Sequence, residues 1–231
     1  MTASRKSRSP AQKTATRPFT GDVLQKQALE IQRRLLAEYP DAHCELEFST
    51  PLQLVVATVL SAQCTDKRVN MVTPALFARY PDAFALARAR RSTLEQLVRS
   101  TGFFRSKANS LLGLARALVA RHGGEVPRTM AELVELPGVG RKTANVVLGN
   151  AFAINAGIVV DTHVARLSAR LGLTRDTDAV KIEQSLVPLF SVDSWTMLSH
   201  LMIWHGRRVC DARKPRCTEC SLRDICPSAV A

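Results

Sequence analysis

The sequence has 231 residues, 46% of them apolar and only 5% aromatic, and carries a formal net charge of +12. This length and apolar content exclude a wholly disordered chain and leave one or two domains with a core of Leu, Val, Ile and Ala. The charge excludes an acidic solvating protein and points to a polyanionic partner, nucleic acid first.

Residues 1–20 are rich in Ser, Thr, Lys, Arg and Pro and read as a disordered basic tail. Arg5, Lys6, Arg8, Lys13 and Arg17 stand before the first acid, Asp22. They supply less than half of the excess charge, so the folded part is basic too. No apolar h-region accompanies them, which argues against secretion and for a cytoplasmic, nucleoid-associated protein. Leu24, Ala28, Ile31 and Leu35 mark a helix from Asp22 to Glu38, which Pro40 ends. Thr50-Pro51 starts a second helix, running through Leu60. Ser92 with Glu95, and Thr129 with Glu132, have the spacing of capping boxes. A long amphipathic helix covers roughly 105–121 and stops at His122-Gly123-Gly124. Asp161 can cap a helix carrying Val164, Leu167 and Leu171, and two more helices cover roughly 178–190 and 193–208.

The stretch Thr143 to Val160 has no charge and is long enough to raise a membrane span. Asn145, Gly149, Asn150, Asn155 and Gly157 interrupt it, so it reads as buried helix plus loop. Ile158 to Val160 is too short to build a sheet on. The chain reads as all-α, with about ten helices and no long repeat.

Three segments carry chemistry. Leu136-Pro137-Gly138-Val139-Gly140-Arg141-Lys142-Thr143-Ala144 is a glycine turn between two helices. Gly138 and Gly140 permit a tight turn whose N–H groups point at an anion, so a phosphate can be held without side chains. Lys142 follows at the helix start, where the positive dipole end and burial both favour a neutral amine. Such an amine can attack a sugar carbon and form a Schiff base; spacing alone leaves simple phosphate binding equally open. Asp161, in Val-Val-Asp-Thr-His-Val, can cap the following helix or act as a base.

The third segment holds Cys210, Cys217, Cys220 and Cys226, four thiols within seventeen residues. In a reducing compartment such a cluster binds metal more readily than it forms disulfides. Zinc sites pair their cysteines in short knuckles. Gaps of six and five residues suit an iron–sulfur cage better, each thiolate reaching a different iron. Arg213, Lys214 and Arg216 lie in the first gap, where a clipped loop would hold them in place for phosphate.

Together with Leu60-Ser61-Ala62-Gln63-Cys64-Thr65-Asp66, these motifs resemble the endonuclease III family of helix-hairpin-helix DNA glycosylases, from Asp22 to Pro227. The resemblance implies a two-lobed all-α fold. A six-helix lobe spans 44–155, with the helix-hairpin-helix at about 129–152. The N-terminal helix, 21–43, packs with a cluster lobe, 156–231, whose 4Fe-4S loop is 210–226. It implies a monomer that acts on double-stranded DNA holding a damaged pyrimidine or an abasic site. By the same resemblance Lys142 is the nucleophile and Asp161 the catalytic carboxylate. Gln63 fills the gap left by a flipped base, and the hairpin residues Gly138, Val139, Gly140 and Arg141 contact DNA together with His163. Phe103 stands where a leucine wedge is common. Cys64 is read as a small buried thiol and not a ligand.

Two other readings stay open at this point. An adenine-mismatch glycosylase of the same superfamily shares the cluster, but generally lacks the lysine and adds a C-terminal recognition domain. This chain runs only five residues past Cys226 and is expected to lack that domain. A non-catalytic DNA-binding iron–sulfur protein would need neither Lys142 nor Asp161.

Overall fold

A computed structural model describes residues 21–230, so the expected basic tail at 1–20 lies outside the described residues. Among the described residues there are eleven α-helices, four short 3-10 turns and no strand. The helices are α1 (Asp22–Glu38), α2 (Pro51–Leu60), α3 (Asp66–Arg79), α4 (Ala83–Ala87), α5 (Arg91–Val98), α6 (Phe104–His122), α7 (Met130–Val134), α8 (Arg141–Phe152), α9 (Thr162–Arg170), α10 (Ala179–Leu186) and α11 (Trp195–Arg208). None is long and apolar enough to cross a membrane. The uncharged stretch from Thr143 is most of α8 and the loop after it.

Local chemistry explains most boundaries. Thr50 Oγ1 accepts the Gln53 N–H and Pro51 opens α2. Every residue from Leu54 to Leu60 is buried, which makes α2 the centre of its lobe. Thr129 Oγ1 accepts the Glu132 N–H at 3.3 Å and donates to Glu132 Oε2 at 2.5 Å, so this hydroxyl and carboxyl close the start of α7. Gly123, at φ 60°, ends α6 in the left-handed conformation. The Ser92–Glu95 pair is not a capping box. Helix α5 already starts at Arg91, its N-cap Arg90 makes no side-chain bond, and Glu95 pairs with Arg91 at 2.7 Å. Pro74 lies inside α3 and hides that helix from a pattern reading; the Thr65 cap and buried Val69, Val72 and Leu76 hold it nonetheless.

The helices surround two hydrophobic cores. One is built by α2 to α8, around Leu54, Leu60, Leu94, Leu111, Leu118 and Leu148. The other joins α1 to α9, α10 and α11, around Ile31, Leu35, Leu167, Leu186, Leu198 and Met202. Helix α1 is tied into this second core by polar contacts as well. Gln25 Nε2 donates to Leu189 O at 2.8 Å, Gln27 Nε2 to Leu171 O at 3.0 Å, and Arg34 pairs with Asp224. The second lobe is therefore assembled from segments on both sides of the first. Between the lobes, Glu183 of α10 is buried and accepts a bidentate pair from Arg141 (2.6 and 3.1 Å) and a bond from Asn145 (3.0 Å). Gly157 makes room for that carboxylate, since a Cβ there would sit 1.9 Å from Glu183 Oε1.

Candidate active site and cluster loop

The glycine turn joins α7 to α8 as the spacing predicts. Gly138 has φ +81°, and a Cβ on it would come within 2.8 Å of Ser110 Cβ on α6. Glycine is required there both for the turn and for seating the hairpin. The Val139 side chain is buried, and its N–H donates inward to Leu136 O at 3.0 Å. The N–H groups of Gly138 and Gly140 have no hydrogen-bond partner among the described residues. With the first turn of α8 behind them, they are left free to donate to an acceptor outside the turn.

Lys142 is the second residue of α8 and is exposed. The expectation that burial helps keep its amine neutral is not met. Arg141 does not present a free cation to solvent, because Glu183 takes its guanidinium. Asp161 is the N-cap of α9, its Oδ1 accepting the His163 and Val164 N–H groups at 2.8 Å each. Oδ2 has no hydrogen-bond partner among the described residues, so capping leaves one carboxylate oxygen for chemistry. Lys142 and Asp161 line one pocket between the two cores, enclosing about 650 Å³ of space with open solvent included.

Other residues of this pocket escape a sequence reading. Thr196, His200, Ile203, Trp204 and Arg207 come from one face of α11, and Asn150 from α8. Their spacing of four, three, one and three along the sequence is helical, which is the only signal they leave. Burial and the nearby His43 hold His200 down at about 4, so its ring is neutral. Asn150 Nδ2 donates to Val146 O at 2.8 Å, which turns Oδ1 toward His200 Nε2, also at 2.8 Å. The proton of His200 therefore sits on Nε2. Arg207 binds Asp66 at 2.8 Å and Glu45, closing the pocket floor from the first lobe.

Gln63 and Phe103 are both exposed and both adopt left-handed backbone, at φ 52° and 46°. Such strain in non-glycine residues collects at functional sites. His163 is partly buried, its Nδ1 3.1 Å from Arg166 Nη2.

Cys210, Cys217, Cys220 and Cys226 line a single pocket walled by Leu167, Leu171 and Leu222. Among the described residues, no three Cys, His, Asp or Glu close on one point as a single metal ion requires. Four thiols around a shared space supply the ligand set of an iron–sulfur cage, one thiolate per iron. Burial pushes the Cys220 thiol up to about 11 and raises Cys226 as well, so a cluster held by these sulfurs would have to displace their protons. Arg170 donates to Cys210 Sγ at 3.2 Å and to the Asp211 and Ala212 carbonyls. The Leu222 N–H donates to Cys220 Sγ at 3.4 Å, and His205 Nε2 stands 3.3 Å from the same sulfur. Arg213, Lys214 and Arg216 are exposed on the loop so fixed, Arg216 pairing with Glu219 at 3.4 Å. Cys64 is partly buried in the first lobe, away from these thiols.

The helical frame and the seated hairpin define a class of base-excision repair proteins. Residues 56–191 match the model of the HhH-GPD superfamily base excision DNA repair protein. Residues 210–226 match the iron–sulfur binding domain of endonuclease III. The chain is 57% identical to endonuclease III of Synechocystis sp. over 206 residues, covering 89% of this chain and 94% of that protein. Against endonuclease III of Bacillus subtilis it is 46% identical, covering 81% and 86%. Among solved structures, a trapped endonuclease III–DNA covalent intermediate superposes with a TM-score of 0.85 at 42% identity, covering 89% of this chain and 96% of that one. The chain belongs to the endonuclease III family. It is accordingly a DNA N-glycosylase and abasic-site lyase of base-excision repair, and its cofactor is a 4Fe-4S cluster. The adenine-mismatch reading is not favoured.

Proposed function

We propose that Lys142 is the nucleophile and Asp161 its catalytic carboxylate in the removal of oxidised pyrimidines from duplex DNA. The observation that carries this reading is their meeting in one inter-lobe pocket, Lys142 from α8 and Asp161 from the start of α9. The damaged nucleotide leaves the base stack, as chemistry on a paired base requires. The Lys142 amine attacks the sugar C1′ as the bond to the base breaks, and the base leaves with a proton. Opening of the C1′–O4′ bond, with the nitrogen's proton passing to O4′, gives the imine; removal of a 2′ proton then expels the 3′ phosphate by β-elimination and breaks the strand 3′ to the lesion. Asp161 supports the developing positive charge on the sugar and the proton transfers.

Gln63 fills the space left by the extruded base, where its amide can bond the orphaned partner base, and Phe103 wedges between base steps. Backbone N–H groups at Gly138 and Gly140 hold a phosphate, with Val139 fixing the turn from within. For Arg141 the DNA contact is through its backbone, the side chain being held by Glu183. His163, Arg213, Lys214 and Arg216 extend the phosphate-binding surface. Cys210, Cys217, Cys220 and Cys226 ligate the cluster, which when bound cross-links the loop that carries those three cations. Residues 44–155 form the first lobe, which holds seven helices, α2 to α8, where the resemblance implies six, and 21–43 with 156–231 form the cluster lobe. The protein acts as a monomer in the cytoplasm, in contact with the nucleoid.

Borohydride reduction tests the chemistry. Wild type should be trapped covalently on DNA holding thymine glycol or an abasic site, and Lys142→Ala should not. Asp161→Asn keeps an oxygen to cap α9 and should fold normally, yet lose about 100-fold or more in rate. An adduct that survives in Lys142→Ala would remove the nucleophile assignment.

A further inference from the structure

Lys107 lies near the start of α6 and is 5% exposed. A buried lysine is costly unless its donors are satisfied. Here Nζ donates to Leu60 O at 2.8 Å and to Thr101 O at 2.7 Å. Leu60 is the last residue of α2, three positions before Gln63. Thr101 closes the 3-10 turn two positions before Phe103. The backbone N–H of Lys107 also donates to Phe103 O at 3.0 Å. One residue therefore holds carbonyls on both loops that end in the strained, exposed positions 63 and 103. Among the described residues no other hydrogen bond joins segment 60–65 to segment 99–103.

A methionine of similar length would fill the same volume without the cost of burying an ammonium. Burial does push the Lys107 amine below its ordinary range. What a methionine lacks is the means to bond two carbonyls that point from different elements at one spot.

We propose that Lys107 is a positioning residue that fixes the spacing of Gln63 and Phe103, so that the two side chains enter the duplex as a pair. The proposal rests on the wedge roles given to those residues above. Extruding a nucleotide from a duplex needs both the gap filled and the stack opened. A single-stranded abasic site needs neither. Lys107 therefore governs reaction on duplex DNA and not the imine chemistry itself.

The test compares single-turnover cleavage of an abasic site in duplex and in single-stranded oligonucleotides. For Lys107→Met the duplex to single-strand rate ratio should fall about tenfold or more, the size of effect a misplaced contact produces. Added to a Gln63→Ala, Phe103→Ala background, it should lower that ratio little further. Lys107→Gln retains two N–H donors and should recover part of the ratio; it also carries the test if the methionine variant does not fold, as judged by circular dichroism and the brown colour of the cluster. Equal losses on both DNA forms would reveal a merely structural lysine and overturn the proposal, as would full additivity with the double variant. A wild-type ratio in the double variant alone would remove the proposal by a separate route, through the wedge roles, with Lys107 intact.

Discussion

Lys142 and Asp161 show how far residue identity leads. Their places at two helix starts follow from the glycine turn and the capping pattern. Their shared pocket does not, because it depends on how two cores meet. His200 is the clearest case of what stayed hidden. It faces Lys142, Asp161, Asp66, Glu45, Arg207 and His43 across the same pocket, yet in sequence it is one polar residue in an amphipathic helix. Its folded value of about 4 lies below the ordinary 6.5, so the unfolded chain binds this proton more readily. The stability it lends is present above about pH 6.5 and is lost as pH falls toward 4. Discounted for its partial exposure, the effect is on the order of 2 kcal/mol. Melting curves of wild type and His200→Gln should therefore show the variant losing less stability between pH 6.5 and 4.5. Parallel curves would place the missing protons elsewhere.

At the scale of elements, caps and glycines were legible where they act locally. Thr50, Thr129 and Asp161 start helices and Gly123 ends one, as their types suggest. Ser92 misled because a hydroxyl three residues before a glutamate fits equally well inside a first turn. Helix α3 was illegible because Pro74 counts against it locally, while the packing of Val69, Val72 and Leu76 decides the outcome. The hairpin yields a prediction of this scale. Gly138→Ala combines a left-handed φ with a 2.8 Å approach to Ser110, whereas a Cβ at Gly140 would meet nothing within 4 Å. The first substitution should cost about 1–3 kcal/mol of stability and weaken duplex binding at fixed salt. Gly140→Ala should cost well under half as much. Denaturant titration of the two variants side by side decides it; equal costs would show that the seat on α6 does not constrain the turn.

For the whole molecule, the lobe containing α1 and α9–α11 could not be found by periodicity, since its halves are separated by the entire other lobe. The expectation of such a lobe rested on the family resemblance and not on pattern. The four cysteines of the loop 210–226 lie at the edge of this lobe, against Leu167, Leu171 and Leu222. Stripping the cluster should lower stability by several kcal/mol. Hydrogen exchange should then accelerate in α1, α9 and α11 while α2 and α6 keep most of their protection. Uniform acceleration would mean that the two cores unfold as one unit.

The divided lobe also sets an order of events during synthesis. Helices α2 to α8 are contiguous and can pack as they emerge, as lobes made of neighbouring segments do. Helix α1 is made earlier, but Ala28, Ile31 and Leu35 find their partners only once α9 and α11 exist. Until then its apolar stripe is uncovered, and the pocket that holds Lys142 lacks Asp161 and the α11 wall. A partly made chain can hold the hairpin in finished form and still be unable to cut DNA.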